Sequence, residues 1–242
     1  MPKEKIFPFA LLPTELRYQI YELTLSATEP VFLVSKMRAL RRTVVREVMT
    51  ADNASGTRRR RLRGGWPWHQ ASTSTNAQPD AKPAPLTALV PHMLLLDKMT
   101  YAETQPILYA SNDFVLEDTT ALHTFLAIIG TRNVATLTDI TVKGWGETKT
   151  QKGLNYPALT LLVPAVKLER FMIDCRIHYA GYKGTARQLY REGHHWMEAR
   201  GEAAIEAIDM EQSNLGTPRW GLHQELGNLD DLKKELRILL GR

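Results

Sequence analysis

The 242-residue sequence predicts an α+β fold, with an N-terminal helix packed on a small α/β unit that is followed by C-terminal helices. Three observations predict it. First, Leu12-Pro13-Thr14-Glu15 leads into Leu16, Ile20 and Leu23, apolar residues spaced by four and three along one helical face. Second, strand-like alternation over Leu137–Trp145, a helical apolar segment over Tyr156–Val166 and a strand-like run over Leu168–Cys175 make a strand–helix–strand unit. Third, Leu229–Leu240 is a short amphipathic helix with Asp230 and Asp231 near its start and Arg237 near its end, the charge order that the helix dipole favours.

The elements follow in order. Phe7–Leu25 is the first helix, with Pro13 in its opening turn and Thr14 and Glu15 where oxygens and negative charge favour a start. Pro30–Val34 is a short strand. Residues 35–85 lose the pattern: a basic stretch runs into a Ser-, Thr-, Pro- and Gln-rich one that buries too little apolar area to offset its ordering entropy. This segment is expected to be a largely disordered insertion, with a short helix over Met37–Met49 as an option inside it. Order returns at Leu86. A helix over Pro91–Gln105 is expected to bury Leu94, Leu95, Met99, Tyr101 and Ala102, followed by a turn over Pro106–Tyr109 and a strand over Asp113–Leu116. Thr119–Ile129 is a helix closed by Gly130, and Thr185–Met210 is the longest helical stretch, weakened at Gly193 and Gly201. The strand–helix–strand unit implies parallel neighbours and resembles one repeat of a leucine-rich-repeat solenoid. The chain thus divides into residues 1–34, an insertion at 35–85, and an α/β region at 86–242 that forms one folded unit with 1–34.

Composition narrows the function classes. No apolar run approaches the ~20 residues needed to cross a bilayer, and the N-terminus lacks the apolar core of a secretory signal, so no membrane partner is expected. A single cysteine, Cys175, excludes an internal disulfide framework and fits the nucleus or cytoplasm. The net charge of +5 is concentrated: Lys36–Arg63 holds ten basic residues against Glu47 and Asp52.

LLPTELRYQIYELTL, MLLLDKMTYAETQPILYASNDFVL and FLAIIGTRNVATLTDITVKGW together resemble the fungal F-box-like proteins of uncharacterised function. The phrase Leu108-Tyr109-Ala110-Ser111-Asn112-Asp113-Phe114, the turn Gly130-Thr131-Arg132-Asn133 and the later QLYREGHHWMEARGEAAIEAIDM carry the likeness across most of the chain outside the insertion. The resemblance implies F-box-like N-terminal helices and a non-enzymatic protein-interaction role, with docking to a Skp-type adaptor of a ubiquitin ligase and recruitment of an unknown substrate protein. Carried over by position, the adaptor-facing residues are Leu12, Pro13, Leu16, Ile20 and Leu23, with Glu15 at the rim. The alternative is that this helix packs within the chain, against Leu94–Tyr109.

Chemical motifs are sparse. No phosphate-binding loop or nucleophile elbow is present. Cys175 falls on an expected strand, and His178 three residues on would point to the other face. His194 and Glu198 share a helical face, but two ligands do not make a zinc site. No catalytic residue, metal or cofactor is therefore expected. Arg58, Arg59, Arg60, Arg61 and Arg63 read as a localisation signal or a charged linker. The alternative function is a nucleic-acid-associated protein binding through this run, by phosphate neutralisation and with Trp66 and Trp68 stacking on bases.

Overall fold

The computed structural model describes residues 9–49, 89–145, 149–174, 181–210 and 228–241. Arg58, Arg59, Arg60, Arg61, Arg63, Trp66, Trp68, Cys175 and His178 lie outside the described residues. Among the described residues six strands form one mixed sheet: β1 (Val31–Arg38), β2 (Arg41–Arg46), β3 (Phe114–Leu116), β4 (Asp139–Val142), β5 (Arg170–Ile173) and β6 (Ile208–Met210). Their spatial order is β2-β1-β3-β4-β5-β6. Only β1 and β2 are antiparallel; every other adjacent pair is parallel, including the expected pairing of β4 with β5.

Helices fill the connections. Helix α1 (Thr14–Leu25) precedes β1, α2 (Lys98–Ala110) precedes β3, α3 (Thr119–Val134) joins β3 to β4, and α4 (Lys149–Thr160) joins β4 to β5. Helices α5 (Gly181–Arg200) and α6 (Glu202–Ala207) lead to β6, and α7 (Leu229–Leu239) follows it. Two 3₁₀ segments, Phe9–Leu11 and Pro91–Leu95, precede α1 and α2. The architecture is α+β in the broad sense that the sequence predicts.

Alternation along the strands decides which face is covered. Leu33, Phe114, Leu116, Ile140, Val142, Phe171, Ile173, Ile208 and Met210 point to one face and meet α3, α4, α5, α6 and α7 in the main core. The intervening Phe32, Val34 and Val115 form a smaller buried cluster on the other face. Among the described residues Trp196 of α5 is the largest fully buried side chain; its ring meets Phe171 edge-on at 5.5 Å, and Phe171 in turn meets Trp145 at 6.3 Å. Gly193 lets α5 close on α4, since a Cβ there would stand 2.9 Å from Leu159 Cδ1.

Several expectations are corrected. Residues 35–46 are not part of a disordered insertion, and Met37–Met49 is not a helix. The strand begun at Val31 runs on to Arg38 and turns into β2, with six register pairs from Leu33–Arg46 to Arg38–Arg41. The first helix starts at Thr14 because the 3₁₀ segment precedes Pro13. The helix expected over 91–105 splits at Asp97, whose carboxylate caps α2 by accepting from Thr100 N at 2.7 Å, and α2 then runs through Pro106 to Ala110. Its buried side is Thr100, Thr104 and Gln105; Leu95, Met99 and Tyr101 are exposed. The helical turns of α3 are interrupted at Gly130 as expected, since its φ of 75° and ψ of 168° are non-helical and suit glycine almost alone, and a second short helical stretch then runs on to Val134. The long C-terminal helix breaks at Gly201, so Ile208 begins a strand and not a last turn.

Candidate functional site

The N-terminal helices carry the site, and their anchoring defines which side is left open. Helix α1 buries Arg17, Tyr21 and Leu25, a stripe spaced by four. Glu103 of α2 accepts from two members of that stripe. Arg17 donates to it through Nε at 3.2 Å and Nη2 at 2.8 Å, and Tyr21 Oη donates at 2.9 Å. Arg17 also donates from Nη1 to the Leu12 carbonyl at 2.8 Å, which ties down the chain ahead of the helix.

At the other end of α1, Asn112 joins three segments. It is 2 % exposed. Its Oδ1 accepts from Ala27 N, and its Nδ2 donates to the carbonyls of Leu25 and Leu108, each at 2.7 Å. One side chain thus closes the C-termini of α1 and α2 and launches the chain towards β1. The aromatic residues of the same phrase extend the link, with Tyr109 against Phe114 and Phe114 against Phe125 of α3.

With Arg17, Tyr21 and Leu25 turned inward, the predicted docking residues face elsewhere. Leu16 and Leu23 are 45 % and 83 % exposed. Ile20 and Leu12 are half-buried, and Pro13 and Glu15 are exposed. At 3.6 residues per turn, the Leu16–Ile20–Leu23 stripe lies about a third of a turn round the axis from the buried stripe. The helix does pack within the chain, through Arg17, Tyr21 and Leu25, so Leu16 and Leu23 of its apolar stripe stay outward while Ile20 is half-buried. Leu11 is exposed just ahead of α1, as are Leu95 and Leu96 ahead of α2. The 91–95 turn is held against the end of α1 by Val90 N donating to the Thr24 carbonyl at 3.0 Å and by the contact of Thr24 with Met93 Sδ.

Electrostatics reinforces the anchor. Its hydrogen bond from Arg17, aided by Tyr21, holds the Glu103 carboxyl below the usual carboxylate range. Burial, then the Glu103 bond, pushes the Tyr21 hydroxyl up. A carboxyl whose folded value is depressed stabilises the fold above its unfolded value, and that stability is lost as pH falls through the folded one. Melting temperature followed between about pH 6 and 3 is therefore expected to fall in the acid range for the native chain and to fall less steeply for Glu103→Gln. Parallel curves would contradict the assignment.

A second polar group lies between α4 and α5. Asn155 Nδ2 and Gln188 Nε2 donate to Glu192 at 2.9 and 2.8 Å, and burial raises the Glu192 carboxyl above its ordinary range. Trp145 Nε1 lies near enough to favour ionisation of Glu192 but is without a well-formed hydrogen bond, as are Asn155 Oδ1 and Gln188 Oε1. Elsewhere, His194 stacks on Tyr156 at 5.6 Å, and among the described residues no group of three or more His, Cys, Asp or Glu side chains is placed to hold a metal. An open hollow of about 660 Å³ lies where Arg42 of β2 meets His123, Thr124 and Ile128 of α3 and Leu154 of α4. Burial, then Arg42, lowers the His123 imidazole.

The sequence picks out the apolar stripe of α1 but misses Arg17, Tyr21, Glu103 and Asn112. The spacing of Arg17, Tyr21 and Leu25 by four is a signal for two of them, Asn112 stands in the Leu108–Phe114 phrase without a role marked there, and Glu103 lies 86 residues from its partner Arg17.

Residues 3–146 match the family described as a domain of unknown function, DUF7730. The match spans more than half of the chain, which belongs to that family, and it takes in α1, the β1–β2 hairpin and the sheet as far as β4. No curated protein and no solved structure matches the chain. Among the described residues no helix is long and apolar enough to cross a membrane.

Proposed function

We propose that this chain is a non-enzymatic, F-box-like protein-interaction module of fungal type that works in the nucleus or cytoplasm. The N-terminal helices dock a Skp-type adaptor, and the leucine-rich-repeat-like run of strands and helices presents a surface to a substrate protein. One observation carries the reading: α1 is fixed in place through Arg17, Tyr21 and Asn112, yet Leu16 and Leu23 face solvent. A helix that offers apolar anchors from a rigid base suits helix-in-groove recognition and loses little entropy on binding. Monomeric proteins rarely leave such side chains out without a use for them when they form a patch.

The test is co-purification with a Skp-type adaptor. Leu16→Asp/Leu23→Asp is expected to fold as the native chain does, since both side chains are exposed, and to lower adaptor recovery at least tenfold. Equal recovery from the folded double variant would overturn the reading.

A further inference from the structure

The β1–β2 hairpin reaches beyond the sheet that holds it. Of β1, strand β3 pairs only with Val31–Leu33, so in the sheet Val34–Arg38 and Arg41–Val45 pair with each other alone, while α3 packs on one face of the hairpin near Val44. At about 3.4 Å per residue, this ribbon extends roughly 17 Å past its last β3 partner. Its outer part is cationic on both faces. By register, Arg38 and Arg41 share the face of Phe32 and Val34, and Arg42 shares the opposite face, beside His123. Lys36 is paired with Glu47, whereas Arg38, Arg41 and Arg42 have no acidic partner among the described residues.

The tip adds a second, independent observation. Ala39 and Leu40 form the two-residue turn with φ of 45° and 64°, a left-handed pair for which Asn-Gly is the favoured filling. Leu40 is nonetheless present and 95 % exposed, and Met37 beside it is 62 % exposed. A bulky apolar side chain held in a strained conformation with nothing to pack against points to a contact made outside the chain.

We propose that this hairpin is an arm that binds double-stranded DNA, with Arg38, Arg41 and Arg42 on the phosphates and Leu40 at the leading tip. The major groove of B-form DNA, about 12 Å wide, admits a two-stranded ribbon, and guanidinium groups match phosphate oxygens in pairs. In that groove an exposed apolar side chain at the tip can rest against the thymine methyl group. The arm is separate from the apolar stripe of α1 and does not rest on adaptor docking.

The test is fluorescence anisotropy of the full chain with a labelled 20-base-pair duplex, from 50 to 200 mM salt. Three variants are compared: Arg38→Gln/Arg41→Gln/Arg42→Gln, Ala39→Asn/Leu40→Gly, and Arg58→Gln through Arg61→Gln. The arm variant is expected to bind at least tenfold more weakly at 100 mM salt. Its log-affinity against log-salt slope should be shallower by about 2 to 3, near 0.9 for each phosphate that is no longer neutralised. The turn variant should keep the slope and bind several-fold more weakly. It should also melt higher than the native chain, which excludes loss of the fold as the cause. The proposal is overturned if the native chain shows no duplex binding at 50 mM salt, if it binds vesicles of phosphatidylserine but not DNA, or if only the Arg58–Arg61 variant loses affinity.

Discussion

Asn112→Ala is expected to destabilise the chain by about 3–5 kcal/mol. The native side chain satisfies one backbone N–H and two backbone carbonyls, and it is almost fully buried. Each buried polar group stranded by its loss costs roughly 1–3 kcal/mol, and the missing atoms leave a small cavity on top of that. Asn112→Asp should also fail. A carboxylate accepts from Ala27 but places a second acceptor against the carbonyls of Leu25 and Leu108. Urea unfolding of the two variants and the native chain measures the effect. Hydrogen exchange adds the location, because protection should fall first in α1, whose end Asn112 closes. A loss below ~1 kcal/mol, the scale of one ordinary hydrogen bond, would mean that α1 is held by its other contacts, the Glu103 bonds foremost.

Trp196→Ala should cost about 3–5 kcal/mol, the usual range for removing a large aromatic side chain from a core. Trp196 is 1 % exposed and is the middle layer between α5 and the sheet through Phe171. Its edge-on contact is worth more than its area alone, roughly 0.5–1.5 kcal/mol for a well-placed aromatic pair. Trp196→Phe keeps part of that packing and should recover more than half of the stability. The expected sign is a lower denaturation midpoint at unchanged slope, meaning that the same surface is still exposed in one step. Because Trp145 belongs to the stretch matched by the family and Phe171 does not, the same variant also reports on coupling between the two parts of the sheet. Two separated transitions would show that the coupling is weak.

Local rules make some elements legible and leave others hidden. The starts of α3 and α7 follow from Asp118 and Asn228, which bond to backbone N–H groups three residues on. The strands of the core follow from period-two alternation in Ile140–Val142 and Phe171–Ile173. The hairpin is not legible, for two physical reasons. Lys36, Arg38, Arg41 and Arg42 put charge on both faces, so no alternation of apolar and polar residues marks its outer half and the composition reads as a basic stretch. Its turn is Ala39-Leu40, without the Asn or Gly that marks a tight hairpin. Reading proline as a stop misplaces the end of α2, because the helix continues through Pro106 until Ser111 N closes it on the Ile107 carbonyl.

The orientation of α1 illustrates a different limit. Periodicity finds two stripes on this helix, one apolar and one that includes Arg17 and Tyr21, and hydrophobicity favours burying the first. The fold buries the second because Glu103 completes it. That preference depends on a pairing between distant residues, which no local window contains.

The strand order has a consequence for how the chain is made. Strand β3 adds to the free edge of β1, and from β4 onward each strand lies beside the one synthesised just before it, so a growing chain on the ribosome never has to open an existing sheet to admit a later strand. The β3–β4 and β4–β5 connections each hold one helix and the β5–β6 connection holds two, which keeps the entropy of closure small. The one long wait falls between the hairpin and Phe114. During translation the hairpin can form from its own local contacts and stand as the template on which the rest of the sheet is laid down.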